Sequence, residues 1–334
     1  MSATPRGRTG TLSVLAALTT SALALASGGA AVGHTANSHA GAPGHLHCPR
    51  LQRPIATTEA DWQPVAEALG RTGALRENVV YGISLPRRDL KVTSRGVKIG
   101  ASLALNGSAD FARYCDGTML MGDLVLTEAE LPKATEALQE AGIEQTALHK
   151  HLPDQKPPIW WTHFHAMGDA VTLARKLKAV LKVSGDPIAV PAPAVTKPID
   201  LDTAEIDETL GRKGIAEGRT YKFFIGRAET VTSHGHVLPA PIGVDTVIKF
   251  QALGKKRAAV TGDIVMTAHE VQNVLRILRR GDFEIVELHN HMLDDQPRLF
   301  YVHYWKVGDG VELARGLRPA LDVTNLAPPP TPES

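Results

Sequence analysis

Apolar residues recur along this chain in two periods, and the whole pattern is written twice. Over residues 58–70 a capping threonine and an acidic first turn precede Trp62, Val65 and Leu69 at helical spacing, and 202–211 repeats the arrangement, so both stretches predict helices. Residues 79–85 and 90–94, with 221–225 and 229–233 as counterparts, predict strands separated by turns. Residues 119–126 and 258–266 are apolar enough for central strands. Next come two Thr-x-x-Glu capping boxes, Thr127 to Glu130 and Thr267 to Glu270. They open helices whose buried stripes are Leu131, Ala134 and Leu138 in one copy and Val271, Val274, Leu275 and Leu278 in the other. Pro132 lies deep for a first-turn proline, so the first of these helices is expected to bend or start late. A hairpin follows, with strands at 143–151 and 159–165 around a proline-containing loop, then a helix over 169–181; the second copy predicts the same order.

The copies align without a gap at an offset of 140 from Gly122 to Leu181 against Gly262 to Leu321, with about 20 of roughly 60 positions identical. The best-matched stretch is 147–169 against 287–309. Each copy reads β-α-β-β-α with a further strand available upstream. That order predicts an α+β lobe, an antiparallel sheet with helices on one face, ferredoxin-like in class. The expected layout is a signal peptide at 1–30, a His/Gly/Ala-rich flexible arm at 31–57, repeat lobes at 58–185 and 201–325, a Pro-rich linker at 186–200 and a disordered tail at 326–334. Two lobes of one duplicated chain are expected to pack with pseudo-two-fold symmetry as a monomer, which would bring both hairpins to one cleft.

Arg6 and Arg8 ahead of the apolar run 12–26 read as a secretory signal peptide, which predicts a cleaved leader and a secreted or extracytoplasmic protein. No later stretch is long and apolar enough for a transmembrane helix. Cys48 and Cys115 are the two cysteines, and in an exported chain they form either one disulfide or two buried thiols. Cys48 sits in His-Leu-His-Cys-Pro, without the small residue that precedes a lipidated cysteine, so no lipid anchor is expected. Net charge is +1 and the charges are dispersed, which argues against nucleic acid and favours a small-molecule or cell-envelope ligand. Nucleophile-elbow, phosphate-loop, His-Glu-x-x-His and dinucleotide patterns are all missing.

The histidine hairpin carries a family resemblance. Leu-His-Asn-His-Met-Leu at 288–293, Pro-Arg-Leu-Phe-Tyr-Val-His-Tyr-Trp at 297–305, the following Gly-Asp, and the upstream run at 262–271 resemble the LppY and LpqO lipoproteins, a family with a domain of unknown function in two copies. The resemblance covers essentially the whole mature chain and implies an exported protein, without an activity to carry over.

The hairpins also carry the candidate chemistry. In a strand, residues i and i+2 face one side, so each His-x-His pair presents two imidazoles to one surface. If pairing residues have numbers summing to an even value, His149, His151, His163 and His165 share a face. The second copy offers His289, His291 and His303, with Trp305 in place of the fourth histidine and Glu287 on the same strand as a ligand or catalytic base. Imidazoles in such numbers suit zinc or copper, and three with an open position would activate water for hydrolysis of an ester, amide or phosphoester. The alternatives are a non-catalytic metal- or ligand-binding module, and a polar ladder on a half-exposed sheet. Asp169 and Asp309 read as helix caps; Asp123 and Asp263, mid-strand after glycine, read as carboxylates bonded to backbone or orienting a histidine.

Overall fold

A computed structural model describes residues 48–185 and 198–329. The expected signal peptide at 1–30, the first part of the expected arm, residues 186–197 of the expected linker and the last five residues of the tail lie outside the described residues.

Lobe 1 opens with a 3-10 turn, Glu59–Trp62, and runs α1 (Gln63–Leu69), β1 (Ala74–Arg76), β2 (Val80–Pro86), β3 (Thr93–Ser94), β4 (Val97–Lys98), β5 (Asn106–Tyr114), β6 (Gly117–Thr127), α2 (Leu131–Glu140), β7 (Glu144–His149), β8 (Gln155–Lys156), β9 (Ile159–Gly168) and α3 (Ala170–Val183). Lobe 2 repeats this with α4 (Thr203–Leu210), β10 (Ile215–Glu217), β11 (Thr220–Ile225), β12 (Val231–Ser233), β13 (His236–Leu238), β14 (Thr246–Gly254), β15 (Arg257–Thr267), α5 (Ala268–Arg280), β16 (Glu284–His289), β17 (Asp295–Gln296), β18 (Leu299–Asp309) and α6 (Gly310–Asp322). Strand orders are β1-β2-β5-β6-β9-β7 and β10-β11-β14-β15-β18-β16. Every neighbour is antiparallel; because β6 and β7 both oppose β9, they are parallel to one another, and α2 joins them as a split β-α-β crossover. Six strands stand where a ferredoxin-like lobe has four, the extra ones coming from upstream.

Local chemistry explains the element ends. Thr267 and Glu270 form the full capping box of α5, whereas α2 begins at Leu131 because Pro132 is tolerated only in a first turn; Thr127 and Glu130 still bond across the approach, Thr127 N–H donating to Glu130 at 2.8 Å. Asp169 and Asp309 cap α3 and α6. The strands β5 and β14 escaped sequence reading. On the face toward lobe 2, β5 carries Asn106, Ser108 and Asp110, where apolar residues would have marked a strand.

Alternation along the strands divides two cores. In β18, Val302 and Tyr304 pack with Ile206, Leu210, Leu278 and Leu317 under the helices of lobe 2, while Leu299, Tyr301 and Trp305 point the other way, against lobe 1. The same holds in lobe 1, where Phe164 and Ala166 face the helices and Ile159 and Trp161 face lobe 2. The lobes therefore stack helices, sheet, sheet, helices, with helix-free faces in contact. Two apolar patches make that contact. One gathers Met119, Met121 and Tyr114 against Val265, Met292 and Tyr301; the other gathers Val125, Leu152 and Trp161 against Ala259 and Trp305. Polar bonds stitch the seam as well: Tyr114 Oη donates to Val237 O at 2.7 Å, and Gln251 Nε2 donates to Lys98 O at 2.8 Å.

Two expected flexible segments are partly pinned. From Cys48 the arm is held by the Cys48–Cys115 disulfide, by Gln52 pairing with His236, and by Ile55 and Thr57 donating to Arg113 O and Asn78 O. In the tail, Leu326 pairs with Arg227 and Ala327 donates to Gly226 O at 2.8 Å. In both places backbone groups find sheet partners that composition does not reveal. Each lobe also buries an arginine. Arg87 donates to Val125 O and meets Glu130 and Asp89; Arg227 donates to Val265 O and meets Glu270 and Glu229. Among the described residues no helix is long and apolar enough to cross a membrane.

Candidate metal centre

The hairpins β7–β9 and β16–β18 place their histidines on the helix-free faces, so the two sets meet where the sheets meet. Each first strand carries a bulge, at Thr146 and at Val286, which restores His149 opposite Trp161 and His289 opposite Tyr301. The bulge also locks the hairpins to one another, because Thr146 Oγ1 donates to His291 O at 2.6 Å and Asn290 Nδ2 donates to Thr146 O at 3.0 Å. The two candidate ligand sets, one per lobe, which the sequence reading brought to one cleft, form a single cluster astride the pseudo-two-fold axis.

Six imidazoles compose it. His149 stacks on His289 with ring centroids 3.7 Å apart, and the two contacts that exchange under the axis, His151 with His303 and His163 with His291, are both 3.9 Å. His149 Nε2 lies 3.2 Å from His303 Nε2, and His289 Nε2 lies 3.3 Å from His291 Nε2. Three groups of nitrogens or oxygens lie within 4.8 Å of one another: His149, His163 and His289; His149, His151 and His303; Asp263, His289 and His291. The backbone settles two tautomers. His303 Nδ1 donates to Gly262 O at 2.8 Å and His291 Nδ1 donates to Gly243 O at 3.1 Å, so the Nε2 atom of each keeps a lone pair directed into the cluster. Burial drives all six rings toward the neutral form, His291 and His303 down to about 3.

The donors present fit a transition metal. His149 Nδ1, His289 Nδ1, His151 Nε2 and His163 Nε2 are buried with no hydrogen-bond partner, which a satisfied polar ladder would not leave. Neutral imidazole nitrogens in groups of three, without thiolates, are the donors zinc and copper take.

Asp263 is the carboxylate nearest the rings. Its oxygens lie 3.1 Å from His303 Nδ1 and 3.7 Å from both His289 Nε2 and His291 Nε2, and burial raises its carboxyl to about 8. Its counterpart Asp123 accepts from Ser108 N–H at 3.0 Å. Both aspartates follow a glycine whose Cβ would collide with a neighbouring carbonyl, Ser108 O at Gly122 and Val247 O at Gly262, so the Gly-Asp pairs mark a close strand approach. Glu287, expected as the catalytic base or a ligand, pairs with His303 in register yet belongs to none of the three groups. His165, expected to complete a four-histidine face, is also outside them; its Nδ1 meets Glu144 at 3.3 Å instead. The other six expected ligands all converge.

A cavity of about 350 Å³ opens against the cluster, and the axis runs through it. Its inner wall is made of equivalent pairs, His151 with His291, His163 with His303 and Asp123 with Asp263. Farther out the pairs diverge: Asp110 answers Lys249, Arg76 answers Glu217, and Ser84 answers the half-exposed ring of Phe224. Sequence reasoning missed Lys249, which β14 carries; burial lowers its ammonium while Asp123 and Asp263 oppose that shift.

Fold and site together define a two-repeat α+β protein with one shared imidazole cluster between its lobes. The chain belongs to the family described as Domain of Unknown Function (DUF1259), whose pattern matches residues 63–183 and again 204–323. No curated protein matches the chain. Among solved structures it is similar to the double ringed trimeric shell protein MSM0271 from the RMM microcompartment, at 12% identity and TM-score 0.19, covering 65% of this chain and 87% of that one. It is also similar to EtuB from Clostridium kluyveri, at 12% identity and TM-score 0.17, covering 75% and 94%. Likeness at those scores carries no argument about fold or function.

Proposed function

We propose that this protein binds a transition metal, zinc or copper, among His149, His151, His163, His289, His291 and His303, and that the adjoining cavity admits a small molecule to it. The observation that carries this reading is the pair of rings, His291 and His303, whose Nδ1–H groups are spent on backbone carbonyls so that their Nε2 lone pairs face other histidines. Rings so crowded would repel one another if protonated, whereas as neutral donors they can share a cation between them. The bound metal would supply Lewis acidity and an activated water, the chemistry of ester, amide or phosphoester hydrolysis. Of the chain's own groups, Asp263 is better placed than Glu287 to hold a proton beside the rings, because it lines the cavity and contacts His303. The apolar leader at 12–26, the resemblance to LppY and LpqO proteins and the Cys48–Cys115 disulfide all support export.

A second reading, storage or transfer of metal without catalysis, has one observation in its favour: six imidazoles exceed what one tetrahedral ion uses. Assay of zinc-loaded and copper-loaded full chain against nitrophenyl esters, phosphomonoesters and phosphodiesters separates the two. Turnover that disappears in D263N supports the hydrolase. Metal bound without turnover on any of them supports storage.

A further inference from the structure

Three histidines outside the central cluster share one structural signature. His165, on β9 of lobe 1, places Nδ1 3.3 Å from Glu144 Oε2. His234, in the turn between β12 and β13 of lobe 2, places Nδ1 3.3 Å from Asp294 Oδ2. His236, on β13, places Nε2 3.0 Å from Asp116 Oδ1. His165 and His236 thus each hydrogen-bond a carboxylate through one nitrogen, which directs the lone pair of the other elsewhere, as carboxylate–histidine pairs do around metals, while His234 lies at ion-pair distance from its carboxylate. Those other nitrogens are not spent. His165 Nε2 and His236 Nδ1 are buried without a hydrogen-bond partner, and His165 is nine-tenths buried. His165 and His234 are ring neighbours, 5.7 Å apart at 25° between planes, and His236 lies within electrostatic reach of His165.

The duplication supplies an internal control. Thr93 pairs with Lys156 as Thr232 pairs with Gln296, so Arg95 is the equivalent of His234; both have left-handed backbones, φ 47° and 49°, and both precede glycine. Glu144 pairs with His165 as Glu284 pairs with Trp305. At the opposite edge of the molecule, therefore, the equivalent carboxylates Glu284 and Asp154 hold the Arg95 guanidinium, 2.5 Å from Glu284 and 3.9 Å from Asp154. One edge answers its two carboxylates with a permanent cation. The other has exchanged that arginine for a histidine, the tryptophan for another, and Val97 for a third.

We propose that His165, His234 and His236 form a second, outer site for a divalent ion of the zinc type, at the edge of the lobe interface. The ion takes the place that the Arg95 guanidinium fills on the equivalent edge, and Glu144, Asp294 and Asp116 orient its ligands. Among the described residues no group of three that includes these rings has its donor atoms within 4.8 Å of one another, so the site closes when His234, half exposed on its turn, swings toward His165. This site does not depend on the six-histidine centre.

The test is zinc stoichiometry of the full chain by equilibrium dialysis with mass-spectrometric metal counting. It compares wild type, H234R, H165W/H234R and H149A/H151A/H289A/H291A. The double variant rebuilds the arginine edge that the protein already folds with, and should bind one zinc fewer than wild type. H234R alone, a substitution at an exposed turn, should weaken that same zinc at least tenfold and keeps the test valid should the double variant misfold. The central quadruple variant should retain the outer zinc. Equal stoichiometry and affinity in wild type, H234R and H165W/H234R would overturn the proposal, as would loss of every zinc from the central variant while it remains folded.

Discussion

Asp263→Asn is the change that most sharply separates this site from one built on Glu287. The substitution keeps shape and removes a charge. In the protein the Asp263 carboxylate lies 3.1 to 3.7 Å from three imidazoles of the cluster, His289, His291 and His303. Groups that orient metal ligands at such range are worth about 10- to 100-fold in metal affinity, or roughly 1.4 to 2.7 kcal/mol. The full electrostatic attraction to a divalent ion is larger, but the buried carboxyl must first give up its proton, which holds the net effect near that range. Competition with a chromophoric chelator, at fixed pH and salt, reads the affinity directly. D263N should weaken zinc by that factor, whereas E287Q, outside the three groups, should change it less than threefold. A D263N protein that binds zinc as tightly as wild type, or an E287Q protein that loses more, would refute the assignment.

Other outcomes follow from the fold. Arg227→Ala should cost about 3 to 5 kcal/mol in thermal or denaturant unfolding, because it strands Glu229, Glu270 and Val265 O in a buried pocket; a loss under 1 kcal/mol would contradict the burial argument. Burial alone would raise the Glu270 carboxyl, but hydrogen bonds from Arg227 and the Thr267 N–H outweigh it and hold it below the usual range. Its folded value is thus lower than its unfolded one, so its contribution is complete above about pH 4.5 and fades as pH falls; an acid titration of R227A should show a shallower loss than wild type. C48S/C115S opens a loop of 67 residues and should lose about 4 kcal/mol on the chain-entropy estimate, measured as a lowered denaturation midpoint; an unchanged midpoint would mean the arm is held by its backbone bonds alone.

Much of this was legible in residues alone. The capping boxes and the His-x-His strands marked element type, and the even-sum register, which the sequence left as a condition, holds from Ala147 to His149 and brings His149 and His163 to one face. What stayed hidden was set by long-range contact. Asn106–Tyr114 shows no full apolar alternation, because on the face toward lobe 2 Asn106, Ser108 and Asp110 line a cavity and only Ala112 and Tyr114 reach a core. His165 reads as a fourth ligand by periodicity, yet the bulge at Thr146 sets it opposite Glu144 and away from the axis. Asp263 and Glu287 are both candidate carboxylates on the same sheet face, and only the stacking of one lobe on the other decides which of them meets the rings. Arg87 and Arg227 look like surface residues until their partners, 43 positions downstream, close over them.

The most direct test of the account is metal content: the full chain purified without chelator, beside H149A/H151A/H289A/H291A, each analysed for zinc and copper after confirmation of folding. The six-histidine centre predicts stoichiometric metal in the wild type and a loss of at least one equivalent per chain in the variant. A folded wild type that neither carries nor takes up zinc or copper, or a variant that binds as much as wild type, would contradict it.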